Sequence, residues 1–295
     1  MIRAYQPSLL CLVLFGLAFG PQANAASQNS RPNTEMIVGG EEAGPDQFPY
    51  QVRIYGNMED AVGFCGGSII GDQWILTAAH CVVNSDAVVV GYGSNDRTQT
   101  KKIESDKIIV HPDYSQNPAA DVALIKLQTA IAAPGKKIGV ADDATEETLL
   151  LPGAKLIVSG WGAVWELKQD QDVLKMLNQL SSNREVLKEL EYPEKLRWVE
   201  IQSIDRQSCR SLYEATQKDQ TIADTEICAM KPGEKKDSCY GDSGGPLVVP
   251  TKDDRKYVQV GVVSWGEWCG DPSLPGVYSR VSSFKSWMDD TIGKN

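Results

Sequence analysis

Residues 241–246 read Gly-Asp-Ser-Gly-Gly-Pro, and this short stretch contains a candidate nucleophile, Ser243. Ser243 stands beside glycines that leave room for its backbone to approach a ligand closely. Backbone N–H groups in such a turn can point at an oxygen that gains negative charge during a reaction. The stretch alone does not separate a nucleophilic serine from an ordinary turn, so partner residues must be identified elsewhere in the chain.

Residues 241–245 also fit the G-x-S-x-G pattern of the α/β-hydrolase nucleophile elbow. In that fold, the catalytic histidine follows the serine along the chain. The chain has two histidines, His80 and His111, and both precede Ser243. Chain order therefore excludes this interpretation. His111 lies in a His-Pro-Asp-Tyr turn and is interpreted as a structural residue.

The opposite chain order, histidine then aspartate then serine, fits well. His80 follows the apolar block 76–79 and precedes Cys81, which can anchor it. Asp121 opens the run Asp-Val-Ala-Leu-Ile, so its carboxylate starts a buried segment. A buried carboxylate is costly unless it is hydrogen-bonded or paired, and an imidazole N–H is a suitable partner. His80, Asp121 and Ser243 are therefore candidate catalytic residues.

Four ordered motifs together resemble the trypsin/chymotrypsin family of serine endopeptidases. They are the Ile-Val-Gly-Gly at 37–40, the block at 77–81, the Asp121 strand and the stretch 241–246. The resemblance covers essentially all of residues 37–295. It implies an all-β fold of two six-stranded antiparallel β-barrels with the active site between them, followed by a C-terminal helix.

The resemblance assigns a role to each candidate residue of a His-Asp-Ser triad. His80 is the general base and then the general acid, Asp121 orients it, and Ser243 is the acylated nucleophile. The N–H groups of Gly241 and Ser243 correspond to the oxyanion hole. Ser264 corresponds to a serine that supports the aspartate. The implied reaction is hydrolysis of peptide bonds through an acyl-enzyme.

The primary substrate pocket is implied by the same correspondence. Asp237, six positions before Ser243, corresponds to the aspartate at the pocket floor in trypsin. Gly266 and Gly276 correspond to the small residues that keep the pocket walls open, next to Ser264. A carboxylate at the end of a deep slot selects Arg or Lys, because an apolar side chain would leave it desolvated and unpaired. The expected substrates are polypeptides with Arg or Lys before the scissile bond.

The hydrophobic pattern is that of an all-β protein. Short β-branched runs punctuated by Gly, Pro, Asn or Asp predict strands near 88–90, 107–110, 122–127, 155–158 and 257–263. Such spacing is typical of antiparallel barrels or sandwiches. We expect the N-terminal barrel at about 37–135 and the C-terminal barrel at about 150–280.

Two stretches have helical periodicity. The first is a C-terminal helix at about 282–292, after serines suitable for capping. The second, at 170–191, reads as a helical hairpin inserted into the second barrel, within a loop (163–191) that the family usually keeps much shorter. Two interpretations of this insertion stay open. It is either a tolerated surface insertion packed on itself, or a wall or docking site beside the substrate cleft.

The N-terminal segment is expected to be removed. Residues 1–25 combine an early Arg3, an apolar run and a small-residue cleavage site, which is the pattern of a secretory signal peptide. Residues 26–36 then form an activation propeptide. In the family, cleavage before Ile37 frees an amine that pairs with Asp242. Met36 precedes this bond, so a protease of different specificity is the expected activator.

Seven cysteines become six once Cys11 leaves with the signal peptide. An even number in an exported chain predicts three disulfides, for which the residues alone leave 15 pairings. The resemblance implies the pairs Cys65–Cys81, Cys209–Cys228 and Cys239–Cys269.

The formal net charge of −10 argues against a nucleic-acid partner, because phosphate binding needs clustered positive charge. We expect no cofactor, and no metal either, because the loop 91–102 lacks the pair of glutamates that forms the calcium loop of trypsin. No second apolar span follows the signal peptide, so we expect no membrane insertion. The mature chain is expected to be a secreted monomer, extracellular or periplasmic in a Gram-negative cell, with protein inhibitors among its partners.

Two further points concern specificity and activity. Glu267 and Trp268 stand at the pocket entrance and are expected to narrow substrate choice. The alternative function is a catalytically silent, protease-like binding protein. Such homologues usually lack a member of the triad, whereas all three residues are present in this chain.

Overall fold

A computed structural model describes residues 39–131, 136–163, 192–216, 220–252, 257–267 and 269–295. Its strands form two closed antiparallel barrels of six strands each, which confirms the predicted all-β fold. The signal peptide, the propeptide and the helical hairpin predicted at 170–191 lie outside the described residues and stay predictions.

The first barrel is formed by strands from the N-terminal half of the chain. A short strand, β1 (Glu41–Glu42), precedes its six members: β2 (Gln51–Tyr55), β3 (Cys65–Ile69), β4 (Trp74–Thr77), β5 (Val89–Tyr92), β6 (Lys101–Val110) and β7 (Ala123–Leu127). They close in the order β2-β3-β4-β7-β6-β5, and β5 pairs back onto β2.

The second barrel is formed by strands from the C-terminal half. After β8 (Gly139–Val140), its six members are β9 (Lys155–Gly160), β10 (Arg197–Ile204), β11 (Glu226–Met230), β12 (Pro246–Pro250), β13 (Tyr257–Trp265) and β14 (Gly276–Arg280). They close in the order β9-β10-β11-β14-β13-β12, because β12 pairs back onto β9. At the margins of this barrel, β1 adds to β10 and β8 runs parallel to β13.

The described helices are short. They are α1 (Ala79–Val82), α2 (Asp143–Leu149), α3 (Arg206–Glu214) and α4 (Lys285–Lys294), with 3₁₀ turns at Arg97–Gln99, Pro112–Ser115 and Val281–Phe284. The C-terminal helix predicted at about 282–292 is α4, whose Met288 is buried in the core. No serine side chain caps α4, because the preceding 3₁₀ turn leads the chain directly into it.

The two barrels share one apolar core. Buried side chains from β2 and β4 of the first barrel belong to the same contact cluster as those of β9 and β13 of the second. Two buried hydrogen bonds also cross the junction: Ser68 Oγ donates to Gln259 Oε1 at 2.6 Å, and Ser159 Oγ donates to Gln51 Oε1 at 2.8 Å. Because both pairs are buried, loss of either partner would leave the other group without a hydrogen bond and away from water. The two bonds therefore favour one arrangement of the barrels. The two barrels are therefore joined by shared apolar packing and by buried hydrogen bonds.

Three disulfides are present, in the pairing that the resemblance implies: Cys65–Cys81, Cys209–Cys228 and Cys239–Cys269. The first joins β3 to α1, the second joins α3 to β11, and the third joins two loops of the second barrel. Within the described ranges, no helix is long and apolar enough to cross a bilayer.

The Cys209–Cys228 bond closes a loop with a sequence separation of 19 residues, outside the cleft. Replacing both cysteines by alanine is expected to lower the free energy of unfolding by about 2–5 kcal/mol, because the unfolded chain regains loop entropy. Urea denaturation measures this change. The control is Gln207→Ala on the exposed side of the same helix, for which we expect less than about 0.5 kcal/mol. A double variant as stable as the control would contradict the prediction.

Candidate active site

The ends of two neighbouring strands bring His80 and Asp121 together. β4 and β7 pair antiparallel with Thr77 opposite Ala123, so the residues just after β4 and just before β7 lie at the same edge. Asp121 Oδ1 accepts a hydrogen bond from the His80 backbone N–H at 2.9 Å. Asp121 Oδ2 lies 2.7 Å from His80 Nδ1. Both carboxylate oxygens are thus engaged by the same histidine.

The surroundings of His80 determine its tautomer. An ionised carboxylate can only accept hydrogen bonds, so His80 Nδ1 is the donor and carries the proton. In the neutral ring, the lone pair is then on Nε2, which can accept a proton from a hydroxyl group. The His80 side chain is 34% exposed, whereas that of Asp121 is 4% exposed. The imidazole ring therefore lies between the buried Asp121 carboxylate and the solvent.

Asp121 stays ionised despite its burial. Desolvation alone would raise its pKa, but the hydrogen bond and the charge of His80, with the bond from Ser264, hold the pKa below its usual range. Ser264 Oγ donates to Asp121 Oδ2 at 2.6 Å. Ser264 therefore contacts the aspartate as the resemblance implies, from the end of β13 in the other barrel.

Ser243 lies in the turn that precedes β12 and is anchored to the first barrel. Its backbone carbonyl accepts from Gly66 N–H on β3 at 2.7 Å, and Gly66 O in turn accepts from Thr77 Oγ1 at 2.8 Å. Thr77 ends β4, three residues before His80. The described residues contain no hydrogen bond between Ser243 and His80. Such bonds are often long in a ligand-free site and tighten when substrate binds.

Gly241 and Ser243 present two free backbone donors. Among the described residues, neither N–H donates to a protein acceptor. Gly241 has φ +93°, a conformation that a glycine adopts without strain. Tyr240 O accepts from Ala163 N–H at 2.6 Å, so the trans peptide directs the Gly241 N–H the opposite way. The turn is therefore arranged to bind a negatively charged oxygen.

A cavity of about 300 Å³ joins the remaining predicted site residues. Its lining includes Asp237, Ser243, Ser264, Gly266 and Gly276. A Cβ on Gly276 would lie 2.9 Å from Asp237 Oδ1, so a side chain there would close the space above the carboxylate. The structure thus brings the predicted pocket residues onto one cavity that also contains the serine.

Asp237 is buried without a cationic partner among the described residues. Its Oδ1 accepts from Ser238 N–H at 2.7 Å and lies 3.5 Å from the Tyr278 hydroxyl; its Oδ2 accepts from Gly270 N–H at 3.4 Å. Desolvation raises its pKa to about 7, and these neutral donors offset only part of the rise. The carboxyl is therefore poised to gain a cation.

Asp242 is also fully buried, beneath the Gly241–Ser243 turn. Its Oδ1 accepts from Gly162 N–H at 2.7 Å and its Oδ2 from Cys239 N–H at 2.9 Å. Desolvation raises its pKa to about 6, against these two hydrogen bonds and the charge of Arg53. Ile37, its partner in the resemblance, lies outside the described residues, as does Trp268, whereas Glu267 lines the cavity.

Some residues around the site escaped sequence reasoning. Arg53 is fully buried on β2, in the run Gln-Val-Arg-Ile-Tyr. Its position between Val52 and Ile54 was the sequence signal of this burial. Glu226 is buried on β11, where its Oε1 accepts from Trp265 Nε1 at 2.8 Å; burial raises its pKa. In both cases, the available signal was a charged residue in a predominantly apolar strand segment, in the middle of β2 for Arg53 and at the start of β11 for Glu226.

The described residues contain one cluster of side chains close enough to hold a metal ion: Cys65, His80 and Cys81. Its two sulfur atoms are bonded to each other in a disulfide, so they are not available as thiolate ligands. The chemistry that this site supports is nucleophilic. Ser243 and Ser264 line one cavity with Asp237, and Ser264 bonds the Asp121 carboxylate that also engages His80.

Comparisons with known proteins agree with this geometry. The sequence model of the family described as Trypsin matches residues 37–189 and 181–288 of the chain. The chain is also similar to Tryptase from Mus musculus, with 32% identity over 302 residues that cover 97% of this chain and 100% of the mouse protein. With the two barrels and the His80–Asp121 pair in place, the chain belongs to the trypsin family and is a serine endopeptidase.

Proposed function

We propose that this endopeptidase cleaves polypeptides after Arg or Lys, is secreted, and is made as a zymogen activated between Met36 and Ile37. The observation that supports the proposal is the shared cavity, lined by Ser243 and by a buried Asp237 that has no cationic partner among the described residues. The name of the mouse relative, Tryptase, is consistent with trypsin-like specificity.

In this proposal, Ser243 attacks the carbonyl carbon of the scissile peptide bond. His80 Nε2 takes the hydroxyl proton as the bond from Oγ to carbon forms. The imidazolium that results is stabilised by Asp121, whose carboxylate already contacts its Nδ1 and its backbone N–H. The same Nε2 then gives its proton to the amine nitrogen as the scissile C–N bond breaks, which leaves the acyl-enzyme. In the second half-reaction, His80 takes a proton from water as the water oxygen bonds to the acyl carbon. The bond from that carbon to Oγ then breaks, and His80 returns the proton to Ser243.

Negative charge that develops on the substrate carbonyl oxygen is met by the N–H groups of Gly241 and Ser243. Neither donor has a protein acceptor among the described residues, so no existing bond must break when the oxygen arrives. Preorganised donors of this kind lower the barrier without reorganisation, and losing one typically costs roughly 10²–10³ in kcat.

Substrate selectivity follows from the free-energy cost of keeping the Asp237 carboxylate buried and ionised. A Lys or Arg side chain that reaches it supplies the cation that its surroundings lack, and favours ionisation. An apolar side chain would fill the same slot and leave the carboxyl desolvated without compensation. Discrimination against Phe or Leu therefore arises as much from the penalty on wrong substrates as from attraction of the correct ones.

Activation is assigned to the amine that cleavage before Ile37 would free. Asp242 has no cation within ion-pair distance among the described residues, and its neutral donors leave its pKa raised. An ammonium group inserted beside it would compensate the buried charge and hold the turn that contains Gly241 and Ser243. In this proposal, residues 1–25 are the signal peptide, 26–36 the propeptide and 37–295 the peptidase domain.

Secretion is supported by the three disulfides, which form and persist in oxidising compartments. The expected partners are polypeptide substrates, protein inhibitors of the cleft and an activating protease. The silent binding-protein alternative would be favoured by a missing triad member, whereas His80, Asp121 and Ser243 are all present in the chain.

Matched short peptides that differ only in the residue before the scissile bond test specificity. The enzyme is a preparation with Ile37 verified as its N-terminus. We expect hydrolysis after Arg and Lys and none after Phe or Leu, because only a cation compensates Asp237. Ser243→Ala is expected to lower kcat by a factor on the order of 10³ or more. Cleavage after Phe or Leu would overturn the pocket assignment, and an active Ser243→Ala would overturn the nucleophile.

The pH dependence of cation binding tests the state of Asp237. The ionised carboxyl binds the cation, and its pKa in the free enzyme is raised to about 7. As the pH falls below that value, binding must displace a proton, so affinity for benzamidinium is expected to drop by up to about tenfold per pH unit. Calorimetry on processed Ser243→Ala measures this without turnover. Asp237→Asn in the same Ser243→Ala background is expected to bind benzamidinium weakly at every pH. If the protein with Asp237 intact keeps a constant affinity from pH 8 to 5.5, the prediction is contradicted.

The residue before the activation bond tests the zymogen assignment. Purified precursor incubated with its own mature form is expected to stay intact, since Met36 does not suit a pocket that ends in a carboxylate. Met36→Arg precursor is the matched control and is expected to be converted by the same mature enzyme to a form that begins at Ile37. N-terminal sequencing follows both reactions. Efficient self-conversion of the unmodified precursor would refute a foreign activator.

A further inference from the structure

Arg53 is a buried charged residue that the proposed mechanism does not use. It lies in the middle of β2 and is 0% exposed. Removing a guanidinium from water is costly unless other groups replace the lost hydrogen bonds. Burial lowers its pKa, while the charge of Asp242 acts in the opposite direction. Within the described part of the chain, no carboxylate lies within ion-pair distance of this arginine, so other groups must compensate its burial.

Three backbone carbonyls supply that compensation. Arg53 Nε donates to Val62 O at 3.0 Å, and its Nη2 donates to Gly63 O at 3.0 Å. Both acceptors belong to the connection between β2 and β3 of the same barrel. The third bond is different: Nη1 donates to Gly241 O at 2.6 Å, across the junction and 188 positions along the chain. A buried cation of the first barrel thus contacts the serine turn of the second.

Gly241 is the residue whose conformation most needs such a bond. Without a side chain, and at φ +93°, its backbone has wide freedom that its own sequence does not restrict. The peptide before it is held by the bond from Ala163 N–H to Tyr240 O. The peptide after it is held at both ends: its carbonyl accepts from Arg53, and its N–H, that of Asp242, donates to Cys239 O at 2.9 Å. Arg53 is the part of this arrangement that comes from the other barrel.

Tyr192 covers this contact. Its ring lies over the Arg53 guanidinium, 5.6 Å from the guanidinium carbon to the ring centroid, which is within the range of a cation–π interaction. A Cβ on Gly241 would lie 3.1 Å from a carbon of the same ring. The ring therefore shields the bond between Arg53 and Gly241 from water, which strengthens a charge-assisted hydrogen bond.

We propose that Arg53 is a positioning residue for the oxyanion hole, which keeps the Gly241 N–H directed at the substrate oxygen by holding the Gly241 carbonyl from the opposite barrel. The inference rests on the proposed function, in which the N–H groups of Gly241 and Ser243 receive that oxygen. Arg53 touches neither substrate nor the reacting atoms in this account; it acts on the turn through its hydrogen bond to Gly241 O and through its charge near Asp242.

The test compares four proteins processed to begin at Ile37: wild type, Arg53→Gln, Arg53→Lys and Arg210→Gln. Arg210 is the control, because its hydrogen bonds within the described residues go to Ile222 O and Asp224 Oδ1 and to neither the serine turn nor Tyr192. Each protein is assayed for kcat and KM on an arginyl peptide. Each is also titrated with an arginyl peptide boronate, whose tetrahedral adduct places an oxygen in the hole, and with benzamidinium, which occupies the pocket alone.

Arg53→Gln is expected to lower kcat and boronate affinity together by roughly 10- to 100-fold, below the full loss of a donor because the N–H remains present. KM and benzamidinium affinity are expected to stay within about threefold of wild type, because an orientation error acts mainly in the transition state. Arg53→Lys keeps the positive charge and a donor group. Its kcat and its boronate affinity are expected to lie between those of wild type and those of Arg53→Gln. Arg210→Gln is expected to lower the melting temperature without changing kcat, KM or either affinity.

Two results would overturn the inference. One is an Arg53→Gln enzyme with wild-type kcat and boronate affinity. The other is an equal loss of boronate and benzamidinium affinity, which indicates general damage to the site. If Arg53→Gln does not fold, the lysine variant decides, and an unchanged kcat there overturns the inference. A wild-type enzyme that fails to cleave the arginyl peptide refutes the proposed function instead, and the inference with it.

Discussion

The burial of carboxylates is the constraint on which the cleft of this protein depends, because each buried charge must be met by donors or by a cation. Asp121 is met by His80 from the first barrel and by Ser264 from the second. Asp237 and Asp242 are met mainly by backbone N–H groups of the loops around them. The donors belong to the segments that form the cleft. A shift of those segments would therefore leave a charge unpaired.

The buried carboxylates differ in what compensates them, and this difference separates their proposed roles. Asp121 has a titratable partner and a pKa below its usual range, which suits a residue that stabilises an imidazolium. Asp237 and Asp242 have neutral donors and raised pKa values, which suits groups that receive a cation from outside. Arg53 is the converse case, a buried cation met by carbonyls. Opposite charges thus hold the serine turn from two sides.

Much of this architecture could be predicted from the sequence. The order of His80, Asp121 and Ser243 excluded an α/β-hydrolase, and short β-branched runs predicted strands where the barrels have them. Family resemblance was needed for the disulfide pairing, since six cysteines alone leave many alternatives. The C-terminal helix was predicted, but its start was placed too early, because a 3₁₀ turn begins the segment. Motifs and periodicity are local properties, which is why one sequence suffices to read them.

By itself, the sequence determined the candidate triad and the four ordered motifs, because chain order and spacing are written along the chain. The resemblance that these motifs carry implied the two-barrel fold, the support of Asp121 by Ser264 and the Asp237 pocket. Only the tertiary structure decided that Arg53 contacts Gly241, and only it gave the geometry of the Ser264–Asp121 bond and of the cavity that Asp237 shares with Ser243. These contacts join residues far apart in sequence. They depend on how each barrel closes and on which polar groups burial forces to find a partner, and neither is encoded in a local pattern.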